Sequence, residues 1–248
     1  MRILITAGPT REFIDPVRYI SNLSTGNMGY AIARRAKNKK HKVTLVSGPV
    51  GLKPPEGIRV IECVSANDMF RAVKKEFKKT DCLVMSAAVS DFRPEIKHKE
   101  KIKKQKPPNG RKLALVQTPD ILAWAGKNKA DKTIVGFCLE TSSLTQNAKR
   151  KLEEKNADII VANQIDKNFS AFGFGKTKVL VIGKGGSVEK IGPSTKEKIA
   201  EILLERIEKL WHNGRFAEAK VPHPEAPGSG TNFPKNKAVE NLAAYPRG

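Results

Sequence analysis

MRILITAGPT (residues 1–10), followed after an insertion by STGNMG (residues 24–29) and YAIA (residues 30–33), decides the fold. Ile3–Thr6 is a short run of apolar and β-branched residues, which reads as a buried strand. It ends at a glycine, Gly8. Ser24–Gly29 then opens a helix whose apolar positions begin at Tyr30. Glycines in such a turn let backbone approach a phosphate closely, and the free N–H groups of a helix start attract it. The same glycines also serve close helix–sheet packing, and spacing alone leaves both readings open.

The alternation continues outward from that unit. Candidate strands are Ile3–Thr6, Val43–Ser47, Val60–Cys63, Cys82–Ser86, Leu113–Gln117, Ile134–Leu139, Asp158–Ala162 and Lys178–Ile182. Several are apolar on both faces, as strands covered by helices on both sides must be. Helix starts lie between them. Ser65 with Asp68, and Ser194 with Glu197, have capping-box spacing. Thr118 before Pro119 reads as an N-cap followed by proline at the first helical position. A helix is expected from about Leu144 to Asn156. The pattern predicts an α/β fold, a Rossmann-like, mainly parallel sheet with helices on both faces.

Three stretches interrupt the pattern. Ala7–Leu23 and the basic, proline-containing Phe92–Lys112 are longer than ordinary strand–helix connections. The third follows Trp211 and carries Pro222, Pro224, Pro227, Pro234 and Pro246. We expect one domain over 1–211 and an extended or disordered tail over 212–248.

Composition sets limits on function. The 248 residues suffice for one α/β domain, and 39% are apolar. No run of about 18 apolar residues occurs, so no membrane helix is expected. The start lacks the long apolar region of a signal peptide. The net charge of +21 nominates anionic partners, whether nucleic acid, acidic lipid or phosphorylated metabolites, or serves solubility alone. Cys63, Cys82 and Cys138 form no CxxC, which fits a reducing, cytoplasmic setting. The histidines at 41, 98, 212 and 223 lack metal-ligand spacing, so zinc is not expected.

Individual residues carry sharper chemistry. Asn22 is a neutral donor and acceptor beside the glycine turn; it can hold an oxyanion, or bond its own backbone in a turn. Ser86-Ala87-Ala88 follows a strand, where ligands of open parallel sheets bind, and two alanines admit a flat base. Asp91 can take a ribose, a base amine or a metal, or cap a turn. Lys97, Lys99, Lys101, Lys103, Lys104 and Lys106 can close as a lid over phosphates or form a solvated loop. Lys151 and Lys155 share a helix face and can clamp a triphosphate, or simply face water.

Together these pieces resemble the phosphopantothenoylcysteine synthetase family. TAGPTRE (6–12), DPVR (15–18), ISN (20–22), STG (24–26) and MG (28–29) follow its N-terminal signature in order. AAVSDFR (87–93) follows its central motif and KIKK (101–104) its lysine motif. TPDI (118–121), GF (136–137), ET (140–141), residues 148–155 and VAN (161–163) complete a resemblance over roughly residues 1–210.

The resemblance implies a homodimeric ligase of coenzyme A biosynthesis. Such an enzyme joins 4'-phosphopantothenate to L-cysteine through an acyl-nucleotide, releasing pyrophosphate and a nucleoside monophosphate. Typical bacterial members use CTP and eukaryotic ones ATP; CTP, with Mg2+, is expected here. Carried over by position, Asn22 and Lys101 would be catalytic. Gly8, Met85, Ser86, Ala87, Ala88, Asp91, Lys101, Pro119, Asp120, Ile121, Leu122, Phe137, Lys151 and Lys155 would meet the nucleotide. Asn22, Ser24, Gly26, Met28 and Gly29 would meet the substrate. No metal ligand is singled out.

Two departures stand out. Many members have two adjacent glycines at Gly8-Pro9, and lysine where Asn27 stands. In many bacteria a flavin-dependent decarboxylase precedes this domain. Here Met1 opens the first strand directly, so no flavin is expected in the chain and the phosphopantothenoylcysteine decarboxylase is expected on another chain, or lost. Two rivals fare worse. A dinucleotide reductase would need an acidic residue after Val43–Ser47, where Gly48-Pro49 follows. A nucleic-acid binder would show stacking aromatics or a helix-turn-helix, yet aromatics are only 6%. Neither nucleic acid nor membrane is expected as a partner.

Overall fold

The computed structural model describes residues 1–104, 110, 112–140, 142–164 and 175–218. In chain order the elements are β1 (Arg2–Ala7), β2 (Arg11–Phe13), β3 (Tyr19–Ser21), α1 (Asn27–Asn38), β4 (Lys42–Ser47), β5 (Arg59–Glu62), α2 (Ala66–Phe77) and β6 (Cys82–Met85). Then come β7 (Phe92–Pro94), β8 (Leu115–Gln117), α3 (Ile121–Lys127), β9 (Thr133–Glu140), α4 (Leu144–Glu154), β10 (Ile159–Gln164), β11 (Thr177–Gly183), β12 (Val188–Ser194) and α5 (Lys196–Glu218).

Eight strands make one sheet, in the order β12-β11-β10-β9-β6-β1-β4-β5. The six from β10 to β5 run parallel; β11 is antiparallel to β10 and β12 antiparallel to β11, so β12 points the same way as the six. The expected Rossmann-like, mainly parallel sheet is therefore present. Sequence order moves outward from β1 through β4 to β5, then restarts on the other side at β6. The reversal between β1 and β6 is a topological switch point, where open α/β sheets bind ligands beyond the strands' carboxyl ends.

Alternate residues along β1 explain its double apolar face. Ile3 and Ile5 enter one core with Tyr30, Ala33 and Leu203 of α1 and α5; Leu4 enters the other with Met69, Val73 and Leu122 of α2 and α3. Each inward side chain is fully or almost fully buried, as the period of two requires. On the first face α1 and α5 lie side by side. Arg34 pairs with Glu197 at 3.5 Å, Arg35 with Glu201, and Lys39 with Glu208 at 2.8 Å. Rising numbers pair with rising numbers, so the two helices run parallel and begin at the same end of the sheet.

Several sequence expectations need correction. Ala7–Leu23 is not plain loop: β2 and β3 form an antiparallel hairpin within it. Phe92–Lys112 begins with β7, which pairs with β8 in a second small sheet, so Leu113–Gln117 is no strand of the main sheet. Thr118 does not cap α3. Asp120 does, its side chain accepting the Ala123 N–H at 2.8 Å, while Thr118 donates its hydroxyl to the Ser90 carbonyl at 2.6 Å. Ser194 ends β12, and Thr195 accepts the Lys198 N–H instead. Helix α5 continues past Trp211 to Glu218, so the expected tail begins as helix; residues 219–248 lie outside the described ones. The Ser65–Asp68 capping box forms in full. Among the described residues no helix is long and apolar enough to cross a membrane.

Candidate active site

The loop after β1 and the loop after β6 are stitched together by their own backbones. Ala88 N–H donates to the Gly8 carbonyl at 2.9 Å, and Thr10 N–H to the Ala88 carbonyl at 3.3 Å. Ser86 donates its hydroxyl to the Thr6 carbonyl at 2.6 Å, and Ser90 N–H donates to the Thr10 hydroxyl at 2.9 Å. Above this seam opens a cleft of about 890 Å³ at the switch point. Its volume suits a nucleotide-sized ligand.

One wall is the segment from Ser21 to Gly29, which ends in the first turn of α1. Gly26 adopts φ +78° at the N-cap and brings no side-chain cap to this turn. Gly29 sits so close to the sheet that a Cβ there would meet the Ala7 Cβ at 2.5 Å and the Ser86 Oγ at 2.7 Å. The glycine therefore seats α1 against β1 and β6, as well as lining the cleft. Asn22 donates its amide nitrogen to the Val89 carbonyl at 3.0 Å.

The opposite wall comes from Met85 to Val89, Asp91 and Phe92, then Gln117–Leu122, Phe137–Leu139, and Lys151 and Lys155. Lys155 pairs with Asp120 at 2.8 Å. Burial pushes the Asp120 carboxyl up, but the bonds from Lys155 and the Ala123 N–H, with the Lys151 charge nearby, outweigh it and hold the group below the usual carboxylate range. The expected site residues Asn22, Ser24, Gly26, Met28, Gly29, Met85, Ser86, Ala87, Ala88, Asp91, Pro119, Asp120, Ile121, Leu122, Phe137, Lys151 and Lys155 thus share one cleft.

Two expected residues stand apart from that lining. Gly8 lies beneath it with φ +76°, where a Cβ would strike Val50 at 2.8 Å; it joins the two loops. Lys101 belongs to a separate shallow surface formed by residues 98–104. That segment is nonetheless pinned. Ile102 N–H donates to the buried Asp15 carboxylate at 3.1 Å, and Arg18 donates to the Ile102 carbonyl at 2.9 Å. Hydrogen bonding from Arg18 also holds the Asp15 carboxyl far below the usual carboxylate range. Lys106 and Thr141 lie outside the described residues.

This geometry coincides with a family. Residues 1–210 match the model described as the DNA/pantothenate metabolism flavoprotein C-terminal domain. The chain belongs to that family. It is 40% identical over 209 residues to the coenzyme A biosynthesis bifunctional protein CoaBC of Bacillus subtilis, covering 84% of this chain and 51% of the relative. The corresponding protein of Escherichia coli K12 is 37% identical over 210 residues, with the same coverage. The chain spans about half the length of these relatives. A crystal structure of the C-terminal domain of a CoaBC superposes with a TM-score of 0.73 at 39% identity, covering 86% of this chain and 96% of that one. A Cab2 mutant in complex with phosphopantothenate-cysteine shares the fold at a TM-score of 0.70 and 17% identity, covering 86% of this chain and 88% of that one.

In this member of the DNA/pantothenate metabolism flavoprotein C-terminal domain family, sequence reasoning missed several cleft residues. Gln117, Cys138, Asn163 and Lys196 line the cleft as well. Burial pushes the Cys138 thiol up to about 11. Asn163 stands in the VAN motif, so the signal was available. Lys196 offered none, because a lysine in the first turn of a polar helix looks solvated until α5 is packed beside α1. Among the described residues no group of three or more His, Cys, Asp or Glu side chains could hold a metal ion.

Proposed function

We propose that the chain joins 4'-phosphopantothenate to L-cysteine at the expense of a nucleoside triphosphate, CTP in preference to ATP. The observation that carries this reading is the single cleft at the switch point. There the uncapped glycine turn of α1 faces Ala87-Ala88, with Lys151 and Lys155 on the far side. Its elements answer the needs of the reaction in turn.

A carboxylate resists amidation near neutral pH because its leaving group would be oxide. In the proposed first step a carboxylate oxygen of phosphopantothenate attacks the α-phosphorus, the bond to the β-phosphate breaks, and pyrophosphate leaves. In the second the cysteine amine attacks the acyl carbon, CMP departs with the bridging oxygen, and the amine proton passes to solvent. Ala87 and Ala88 leave room for a flat base, Lys151 and Lys155 meet phosphate oxygens, and the α1 N-terminus attracts negative charge. Asn22 positions the acyl-nucleotide. Lys101, on the segment pinned by Asp15 and Arg18 outside the cleft lining, would shield it from water and neutralise charge in the first step once that segment is brought over the cleft.

Magnesium prefers phosphate oxygens, waters and one or two carboxylates over an all-protein cage. The donor set fits that mode, with Asp91 as the exposed carboxylate on the cleft wall. When bound, the ion would offset the triphosphate's charge.

The small sheets expose Tyr19, Phe92 and Leu115, and the loops beside β3 expose Val17 and Leu23, between 43% and 77%. Such clustering supports a homodimer formed through that side. The free, buried cysteines support a cytoplasmic setting. The product would retain the cysteine carboxylate, and a decarboxylase is the proposed next partner.

The test is turnover with CTP and ATP side by side. Pyrophosphate should form only when phosphopantothenate is present, and faster with CTP. Orthophosphate as the coupled product would replace the acyl-nucleotide by an acyl phosphate.

A further inference from the structure

Lys196 is only 6% exposed, yet its ammonium has no hydrogen-bond partner among the described residues. An isolated buried charge is costly, and buried ammonium groups are normally paired. Nearby acids are engaged elsewhere. Glu197 pairs with Arg34 at 3.5 Å, and Glu201 takes Arg35 together with Lys198 at 3.2 Å. The Lys196 side chain lines the same cleft as Asn27, Met28 and Gly29. Asn163 lines it too.

Helix geometry indicates what fits between these groups. Because α1 and α5 run parallel, both begin at the cleft. Two positive helix ends converge there, α1 brings no side-chain cap, and α5 contributes a desolvated ammonium. Burial lowers the proton affinity of Lys196, so a partner that restores its charge gains free energy on binding. A tetrahedral dianion with several acceptor oxygens serves an ammonium and two helix ends at once, which a planar carboxylate does less well.

We propose that Lys196 is a phosphate-binding residue of the cleft, its ammonium taking an oxygen of a phosphate group lodged between the first turns of α1 and α5. The phosphate belongs to the nucleotide triphosphate or to phosphopantothenate, an assignment that rests on the ligase reading above. Phosphate binding itself does not.

The experiment is calorimetric titration of wild type, Lys196→Met and Lys196→Arg with inorganic tripolyphosphate, CTP and phosphopantothenate separately. Loss of one charge-assisted bond should weaken the relevant ligand by about tenfold to a hundredfold in Lys196→Met, with partial recovery in Lys196→Arg. Unliganded Lys196→Met should melt no lower than wild type, because an unpaired buried charge has been removed. Weakening of CTP and tripolyphosphate assigns the contact to the nucleotide; weakening of phosphopantothenate alone assigns it to that substrate. Unchanged affinity for all three overturns the proposal, even if ligase turnover is normal. Lys196-dependent tripolyphosphate binding without any pyrophosphate formation upholds it while removing the ligase reading. Should Lys196→Met fail to fold, Lys196→Gln takes its place under the same criteria.

Discussion

Asn22 reaches across the cleft edge and donates its amide nitrogen to the Val89 carbonyl at 3.0 Å and the Ala88 carbonyl at 3.4 Å. One side chain thereby ties the segment after β3 to the turn after β6. With the nitrogen committed, the amide oxygen is the group left for a ligand. Asn22→Asp places a carboxylate against two carbonyl oxygens and against an anionic intermediate. We expect turnover to fall by about 10²-fold, because loss of the tether to Val89 and Ala88 and the added negative charge misplace the anionic intermediate, while nucleotide affinity measured by calorimetry changes little. Wild-type turnover would leave Asn22 as a tether only.

Asp120 and Lys155 supply a pH-dependent prediction. The folded carboxyl sits below its ordinary value, so the native state binds fewer protons than the unfolded one. The stabilisation is complete above the unfolded carboxylate range and is lost as pH falls through the lower folded value. Asp120→Asn keeps an acceptor for the Ala123 N–H but removes this charge. The stability gap between wild type and variant should therefore close as urea titrations move from neutral pH into the acid range. Lys155→Met should raise the KM for nucleotide. No stability gap at neutral pH would show that Asp120 contributes through the cap alone, which asparagine retains.

At Gly29 the contacts of an added Cβ include the Thr6 carbonyl oxygen at 3.0 Å besides the two closer atoms of Ala7 and Ser86. Backbone cannot yield as a flexible side chain does. Gly29→Ala should cost about 1–3 kcal/mol through overpacking and weaken nucleotide binding by lifting the first turn of α1. Chemical denaturation read beside calorimetry checks both halves. Unchanged stability would mean the helix shifts freely on the sheet.

The pinned lysine segment separates Lys101 from its neighbours. Lys101→Gln should slow turnover by about 10²-fold, whereas Lys99→Gln should leave it near wild type. Arg18→Met removes the bonds to Asp15 and Ile102, so protease cleavage within 98–104 should accelerate. Equal kinetics for both lysine variants would make the motif a solvated surface.

The fold was legible because its strongest signals are local. Ile3–Thr6 and Val43–Ser47 are continuous apolar runs, and Ser65 with Asp68 is a complete helix start. Most of the cleft was legible too, since ISN, STG and AAVSD each lie next to a strand end. What escaped depends on tertiary placement. Strands β2, β3 and β7 are three residues each, too short for a period-two pattern to register. Asp120 outcompetes Thr118 as a cap because Thr118 is drawn to Ser90, a partner distant in sequence. Lys196 is buried only because α5 lies on α1, which no window of sequence around residue 196 can reveal.

The parallel seam of α1 and α5 has a consequence for how the protein is made. The cleft is shared by residues from opposite ends of the described chain. A nascent polypeptide that has emerged through β12 still lacks Lys196 in the cleft, and Ile3 and Ile5 still lack the cover of Leu203. Such distant pairings are slow to form. Ligand contact at Lys196 would therefore report that synthesis has reached the last helix, and a fragment released before it would leave Ile3 and Ile5 uncovered.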